Sequence, residues 1–440
     1  MGGATDMAYP PVRRVVITGL GVVAPNGIGK DAFWDACVAG RSGVRPITRF
    51  DASPLPTRIA GEVPDFDPQG LGLTDDERFL MDRNTQFAIA AGNLAVQDAN
   101  LTNALTEEAR QQIGVYMGTA MASNEEGEQL LGQLTRNGFQ PFPENSDPFI
   151  SCTFLLNHSP AAALAIHHQL HGPCMALSTG CSAGADAIGQ AYWAIQEGRA
   201  DRMLAGGSDS AICLAGMNVF SVIGALSTRN DAPEQASRPY DLGRDGFVMA
   251  EGAGVLVLEE REVALARGAT IYAELIGFTS NSNAHHMTAL PPDGLPLQHL
   301  LTQILEETGL TPAHLGYINS HGSSTPSNDT AETAAYKAVF GEQAYHIPIS
   351  STKSLIGHTQ GAASAIEAIV TALVIHEHIL PPTINQDQPD PRCDLDYVPN
   401  QARPKTVQIA LTHSSGFGGV NTALVFAAPE WVDSQLAGGH

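Results

Sequence analysis

A chain of 440 residues, 43% apolar and 16% charged, is globular and large enough for two or three domains or one large α/β unit. Its formal net charge of −23 argues against nucleic acid and against an anionic membrane surface, since both demand a basic face. The N-terminus has no apolar core of a signal peptide, and no run approaches about 18 uncharged apolar residues. Six cysteines, at 37, 152, 174, 181, 213 and 393, form no CxxC and no regular framework. The expectation is a soluble, cytoplasmic protein with mostly buried free thiols.

In chain order, "RRVVITGLGVV" (13–23) predicts a buried strand and "GKDAFWDACVAG" (29–40) a helix. "RNTQFAIAAGNLAVQDAN" (83–100) has helical periodicity, and "IGVYMGTA" (113–120) reads as a strand. "CMAL" (174–177) runs through a Ser-Thr-Gly turn into the Ala-rich helix "AGADAIGQAYWAIQEG" (183–198). Strands follow at "DRMLAGGSDS" (201–210), "GAGVLVLEE" (252–260) and "TIYAELIGF" (270–278), with a short helix at "REVALARG" (261–268). "GYINSHGSST" (316–325), "IPISSTKS" (347–354) and "VQIALTHSSGFGG" (407–419) each predict a strand opening into a polar Gly/Ser turn. Strands alternating with helices predict an α/β sheet architecture. "ALSTGCSAGADAIGQAYWAI" and "ISSTKSLIGHTQGAASAIEAIVTAL" repeat one order of strand, Ser-Thr turn and Ala/Gly-rich helix, which suggests a duplicated half.

Cys181 sits where a strand turns into a helix. There the helix dipole and free N–H groups favour thiolate, and small neighbours let a substrate carbonyl approach. His321 and His358 each follow a strand and are bedded in Gly and Ser, where α/β proteins place site residues. "HHQLH" (167–171) and "HEH" (376–378) lack a third-ligand pattern, so a metal site is not expected there. Phe417, between glycines, suits a gate or pocket wall better than a core. "GLGVVA" fits a dinucleotide-binding G-x-G-x-x-A, but Pro25-Asn26-Gly27 interrupts the helix that should follow.

"STGCSAG", "HGSSTPSND", "STKSLIGHTQGAASAIEA" and "SGFGG", in this order, resemble the β-ketoacyl-acyl-carrier-protein synthases. "EGRAD", "SNAHHMT" and "PDPRCDLDYVPNQARP" look most like the ketosynthase subunit of type II polyketide synthases. The resemblance covers nearly the whole chain. It implies a thiolase-type α/β fold of two duplicated halves in α-β-α-β-α layers, with an N-terminal half at 12–265 and a C-terminal half at 266–428. Its implied activity is decarboxylative Claisen condensation with malonyl-acyl carrier protein, in a polyketide, polyene or fatty-acid pathway. The alternative it leaves is malonyl decarboxylation by a starter-generating or non-elongating subunit of the same fold.

Carried onto this chain, the resemblance makes Cys181 the acyl-accepting nucleophile. His321 and His358 become the pair of N–H donors on the malonyl thioester carbonyl, Lys353 the active-site lysine and Glu367 a carboxylate that supports this polar cluster. Phe417 matches the gate, whose N–H completes an oxyanion hole with that of Cys181. Ser323 and Thr325 match contacts to the phosphopantetheine arm, and Met121 the end of the acyl pocket. Gly180, Ser323, Ser415 and Val420 depart from the fatty-acid enzymes without removing a catalytic group. No metal and no cofactor is expected. The expected partners are acyl carrier protein and a second subunit, either a copy of this chain or a chain-length-factor-like homologue. Segment 150–173 is the expected interface. A subunit that lost its cysteine and a thiolase with a second cysteine in the last Gly turn both fit less well, since Cys181 is present and Phe417 occupies that turn.

Overall fold

The computed structural model describes residues 13–102, 105–122, 132–137, 139–141, 143 and 156–438. Ten strands form one path through the main sheet, and they fall into two sets of five. The first set is β1 (Val15–Ala24), β2 (Ile113–Gly118), β3 (Cys174–Leu177), β4 (Arg202–Asp209) and β5 (Gly252–Glu260). The second is β6 (Ala273–Ser282), β7 (Tyr317–Asn319), β8 (Ile349–Ser350), β9 (Ile409–Ser415) and β10 (Val420–Ala427). The spatial order is β8-β7-β9-β10-β6-β1-β5-β4-β2-β3. Counted from its own first strand, each set therefore runs first, fifth, fourth, second, third. The pairing directions repeat as well: the three strands farthest from the junction of the two sets are parallel to one another, and the other two are antiparallel. The sets join where Val15–Ile17 of β1 pair with Ala273–Leu275 of β6.

Alternation along the strands sends each strand's side chains to two different cores. From β5, Leu256 and Leu258 face one cluster, while Ala253, Val255 and Val257 face another. From β10, Leu424 and Phe426 join that same first cluster, and Ala423, Val425 and Ala427 a third. The shared cluster holds helices α3 (Ala183–Gln196) and α6 (Ala363–Glu377), so these lie between the two sets of strands. Outside the first set pack α1 (Arg83–Asp98) and α2 (Ser159–His168). Outside the second pack α4 (Leu295–Thr308) and α5 (Pro326–Phe340). The result is five alternating layers of helix and sheet. Helix α6 is buried from Ala363 through Ile375, which explains why that span is apolar apart from Ser364, Glu367 and Thr371. Each large aliphatic side chain buried this way stabilises the fold by about 1.5–3 kcal/mol.

Several expectations change in detail. The strand expected over 347–354 shrinks to Ile349–Ser350, because Lys353–Ile356 already turn as a short helix. "GLGVVA" lies wholly inside the ten-residue buried strand β1, which leaves no loop to cradle a dinucleotide. Cys37, Cys181, Cys213 and Cys393 are buried thiols, whereas Cys174 is exposed on the edge strand β3. Cys152 and residues 150–155 of the expected interface segment lie outside the described residues. Among the described residues, no helix is long and apolar enough to cross a membrane.

Candidate active site

Four turns at the C-terminal ends of parallel strands converge, where open α/β sheets carry ligand sites. Cys181 follows β3 in the 3-10 turn Gly180–Ser182, which leads directly into α3; Gly180 there takes φ +64°. His358 follows the short helix after β8, and the 3-10 turn Gln360–Ala362 leads into α6 in the same way. His321 follows β7, and Phe417 sits in the loop between β9 and β10. Cys181 Sγ and one ring nitrogen of each imidazole lie within 4.8 Å of one another. The two rings meet edge to face, with centroids 5.4 Å apart.

Hydrogen bonds assign the two imidazoles opposite tautomers. His358 Nδ1 accepts the Gln360 backbone N–H at 3.1 Å, so its proton is on Nε2 and that atom donates. Ser414 Oγ donates to the Cys181 carbonyl at 3.1 Å and also contacts His321 Nδ1 at 3.3 Å. A hydroxyl has one proton, so both bonds hold together when His321 Nδ1–H donates to Ser414. That leaves a bare lone pair on His321 Nε2. In this arrangement His358 donates and His321 accepts, where two N–H donors were expected. Burial, reinforced by the Lys353 charge, pushes both imidazoles well below the usual histidine range, so both are neutral at pH 7.

The same tautomer decides a question that the Cys-His-His cluster raises. A metal at His358 Nε2 would need the lone pair there, and the Gln360 N–H holds that lone pair on Nδ1 instead. "HHQLH" and "HEH" are otherwise engaged: His167 Nδ1 meets Glu77 at 2.7 Å, and the His376 ring packs 4.9 Å from Tyr272.

Burial pushes the Cys181 thiol up to about 11, against the opposing pull of Lys353 and of the Phe417 N–H that donates to the sulfur. Burial therefore opposes the thiolate expected from the helix N-terminus, because loss of solvent works against the local dipole. A Cβ on Gly416 would sit 3.0 Å from the Cys181 nitrogen; glycine leaves that N–H open beside the one from Phe417. Lys353, itself buried, is paired with Glu367 Oε1. Burial raises the Glu367 carboxyl to about 7, even with Lys353 pulling it down.

A cavity of about 300 Å³ reaches the sulfur and is lined by Cys181, His321, His358, Ser323, Thr325 and Phe417, among others. Ser323 and Thr325 hydroxyls pair at 2.9 Å, just before α5. Phe417 is half-exposed and stacks on Phe220 at 6.0 Å; Phe220 meets Phe247 edge-on, and Phe247 meets the His358 ring. Met121 does not line this cavity. It packs on an apolar cluster with Phe220, Phe247 and Met217, behind that aromatic wall.

Two site carboxylates escaped the sequence reading. Glu332 on α5 accepts the backbone N–H of His321 at 2.8 Å, the Tyr240 hydroxyl at 2.8 Å and His413 at 3.0 Å. Burial works against its charge, but these partners prevail and hold its carboxyl below the usual range. Asp209, at the end of β4, gathers five donors near Cys181. The one signal available was a lone acid inside a Gly/Ser-rich stretch.

Five layers, a cysteine at a helix start, two neutral imidazoles and paired backbone donors define a thiolase-type condensing enzyme, an acyltransferase. Residues 12–264 match the β-ketoacyl synthase N-terminal domain and residues 272–387 its C-terminal domain, and the chain belongs to the β-ketoacyl synthase family. The tetracenomycin polyketide synthase ketoacyl synthase alpha subunit of Streptomyces glaucescens is 43% identical over 419 residues, 95% of this chain and 98% of that protein. The 3-oxoacyl-(acyl-carrier-protein) synthase 2 of Synechocystis sp. is 44% identical over 420 residues, 96% of this chain and 99% of the relative. Among solved structures, a type II PKS acyl-carrier protein in complex with its ketosynthase bound to the hexaketide matches with a TM-score of 0.87 and 39% identity. That match covers 95% of this chain and 100% of the other. The ishigamide ketosynthase/chain length factor matches with a TM-score of 0.85 and 34% identity, over 95% and 100%.

Proposed function

We propose that this chain catalyses the decarboxylative condensation of a Cys181-bound acyl group with malonyl-acyl carrier protein, giving β-ketoacyl-acyl carrier protein. The observation that carries this reading is the sulfur, two neutral imidazoles and two backbone N–H groups gathered around one cavity. In acyl transfer, Cys181 attacks the thioester carbonyl of an acyl carrier. Its proton passes to the lone pair of His321, and the carrier's thiol leaves with that proton. The Phe417 and Cys181 N–H groups hold the oxyanion. In condensation, His358 Nε2–H donates to the malonyl thioester oxygen as carbon dioxide leaves. The enolate carbon attacks the Cys181 thioester, the C–S bond breaks with its electron pair on sulfur, and the released thiolate takes one proton from water. Electrons and atoms balance without a metal or redox cofactor, and none is proposed.

Lys353, held by Glu367, supplies positive potential to Cys181 and keeps the imidazoles neutral. Ser323 and Thr325 line the path of the phosphopantetheine arm, Phe417 gates it, and the acyl chain reaches Met121 by parting Phe417 from Phe220. The partners are acyl carrier protein and a second subunit, identical or chain-length-factor-like, docked beside edge strand β3. The free thiols suit a reducing, cytoplasmic setting. The pathway is type II polyketide or polyene assembly, or fatty-acid elongation. Intact-mass spectrometry with acyl carriers, alone and with a homologous subunit, tests this: an acyl adduct on Cys181, consumed by malonyl carrier, is expected. An adduct on Cys174 or Cys213, or carbon dioxide release with no adduct, would overturn it.

A further inference from the structure

The roles above leave the carboxylate of Asp209 unused. Asp209 is fully buried, and its two oxygens accept five hydrogen bonds from two turns belonging to different halves. Oδ1 accepts Thr119 Oγ1 at 2.9 Å, Met121 N at 2.9 Å and Ala122 N at 3.0 Å. Oδ2 accepts Ala120 N at 2.7 Å and Gly361 N at 2.6 Å. Each turn carries a non-glycine residue in the left-handed region, Ala122 at φ +53° and Gln360 at φ +52°. Such backbone persists only where its surroundings impose it. The Ala122 N–H is bound by Asp209 directly, and Gln360 immediately precedes the bound Gly361. The Gln360 N–H so aimed is the group that meets His358 Nδ1.

We propose that Asp209 is a positioning residue for His358: by clamping the Gln360 turn it keeps the proton on Nε2, and it ties that turn to the Thr119–Ala122 turn that carries Met121. Asp209 touches no reacting atom; it acts through Gly361 and Gln360. The inference deepens the proposed condensation, resting on it for the role of His358, but the position of the ring proton is independent of any reaction.

Asp209→Asn is the informative change. Whichever way the new amide turns, its NH2 faces backbone N–H groups, those of Ala120 and Gly361 or those of Met121 and Ala122. Histidine 15N shifts in the full-length protein should report Nε2–H for His358 in the unmodified enzyme and a mixture of tautomers in the variant. Carbon dioxide release from malonyl carrier should fall by up to the 10²–10³-fold that loss of a donor typically costs (about that order), with acylation of Cys181 retained. A merely structural role would depress both steps together and leave the tautomer alone. Should Asp209→Asn fail to fold, Thr119→Val removes one side-chain donor and is read the same way, with a smaller shift toward mixed tautomers. An unchanged His358 tautomer in the folded variant overturns the proposal. If instead the tautomer shifts but the unmodified enzyme never releases carbon dioxide, the clamp stands and the condensation reading falls.

Discussion

The buried thiol makes a quantitative prediction for the free enzyme. With Cys181 held near 11, the thiolate fraction at pH 7.5 is roughly 300-fold smaller than for an ordinary thiol near 8.5. A more basic thiolate is also more nucleophilic, which returns a factor of about 10 to 20 over those 2.5 or so pH units. Alkylation of Cys181 by a small neutral reagent should therefore run about 20-fold slower than that of a solvent-exposed cysteine at pH 7.5. Its logarithm should climb with a slope near one from about pH 7 to 9.5, because the group does not finish titrating in that range. The assay is peptide-resolved mass spectrometry of pulse-alkylated protein, since exposed Cys174 reacts as well and must be separated. A rate that levels off below about pH 8.5 would refute the reasoning, and would mean that the helix N-terminus and Lys353 prevail over burial.

The two histidines should separate. His358→Ala should cost carbon dioxide release about 10²–10³-fold while still accepting an acyl group, whereas His321→Ala should slow the acyl transfer itself. Because folding depresses both imidazole pKa values, the neutral forms persist on acidification, and carbon dioxide release should stay level down through pH 6.5; a fall centred there would refute it. Glu251 is buried and binds Arg49 at 2.6 Å and Arg83 at 2.7 Å, so Glu251→Ala removes a buried carboxylate that two guanidinium groups share and should lose about 3–5 kcal/mol by chemical denaturation. Met175, 42% exposed on edge strand β3, should lie in the subunit contact; Met175→Glu should convert a dimer to monomer by light scattering at micromolar concentration.

How much of this was legible depended on distance along the chain. The placement of Cys181, His321 and His358 beyond strand ends followed from local apolar runs ending in Gly/Ser turns, and the two Ser-Thr turns announced the repeated strand order. Tautomers were illegible: the proton on His358 is set by its neighbour Gln360 only because that residue adopts a left-handed backbone, and the one on His321 by Ser414, far along the chain. The opposition of burial to the thiolate was illegible for the same reason. A helix dipole is a local property, whereas desolvation comes from everything packed around it. Asp209 and Glu332 become meaningful only when several distant N–H groups converge on them. Met121 sits behind an aromatic wall built by Phe220 and Phe247, which no spacing announces.

The helices that begin at the nucleophile turn and at the His358 turn touch at their first residues. A Cβ on Gly184 would stand 2.8 Å from that of Ala365. This contact acts as a spacer gauge, fixing how far the sulfur stands from the imidazole with backbone rather than with adjustable side chains. The gauge lies in backbone contacts at the helix starts, apart from Phe220 and Phe417 on the cavity side, so those two side chains can be exchanged without moving the sulfur from the imidazole.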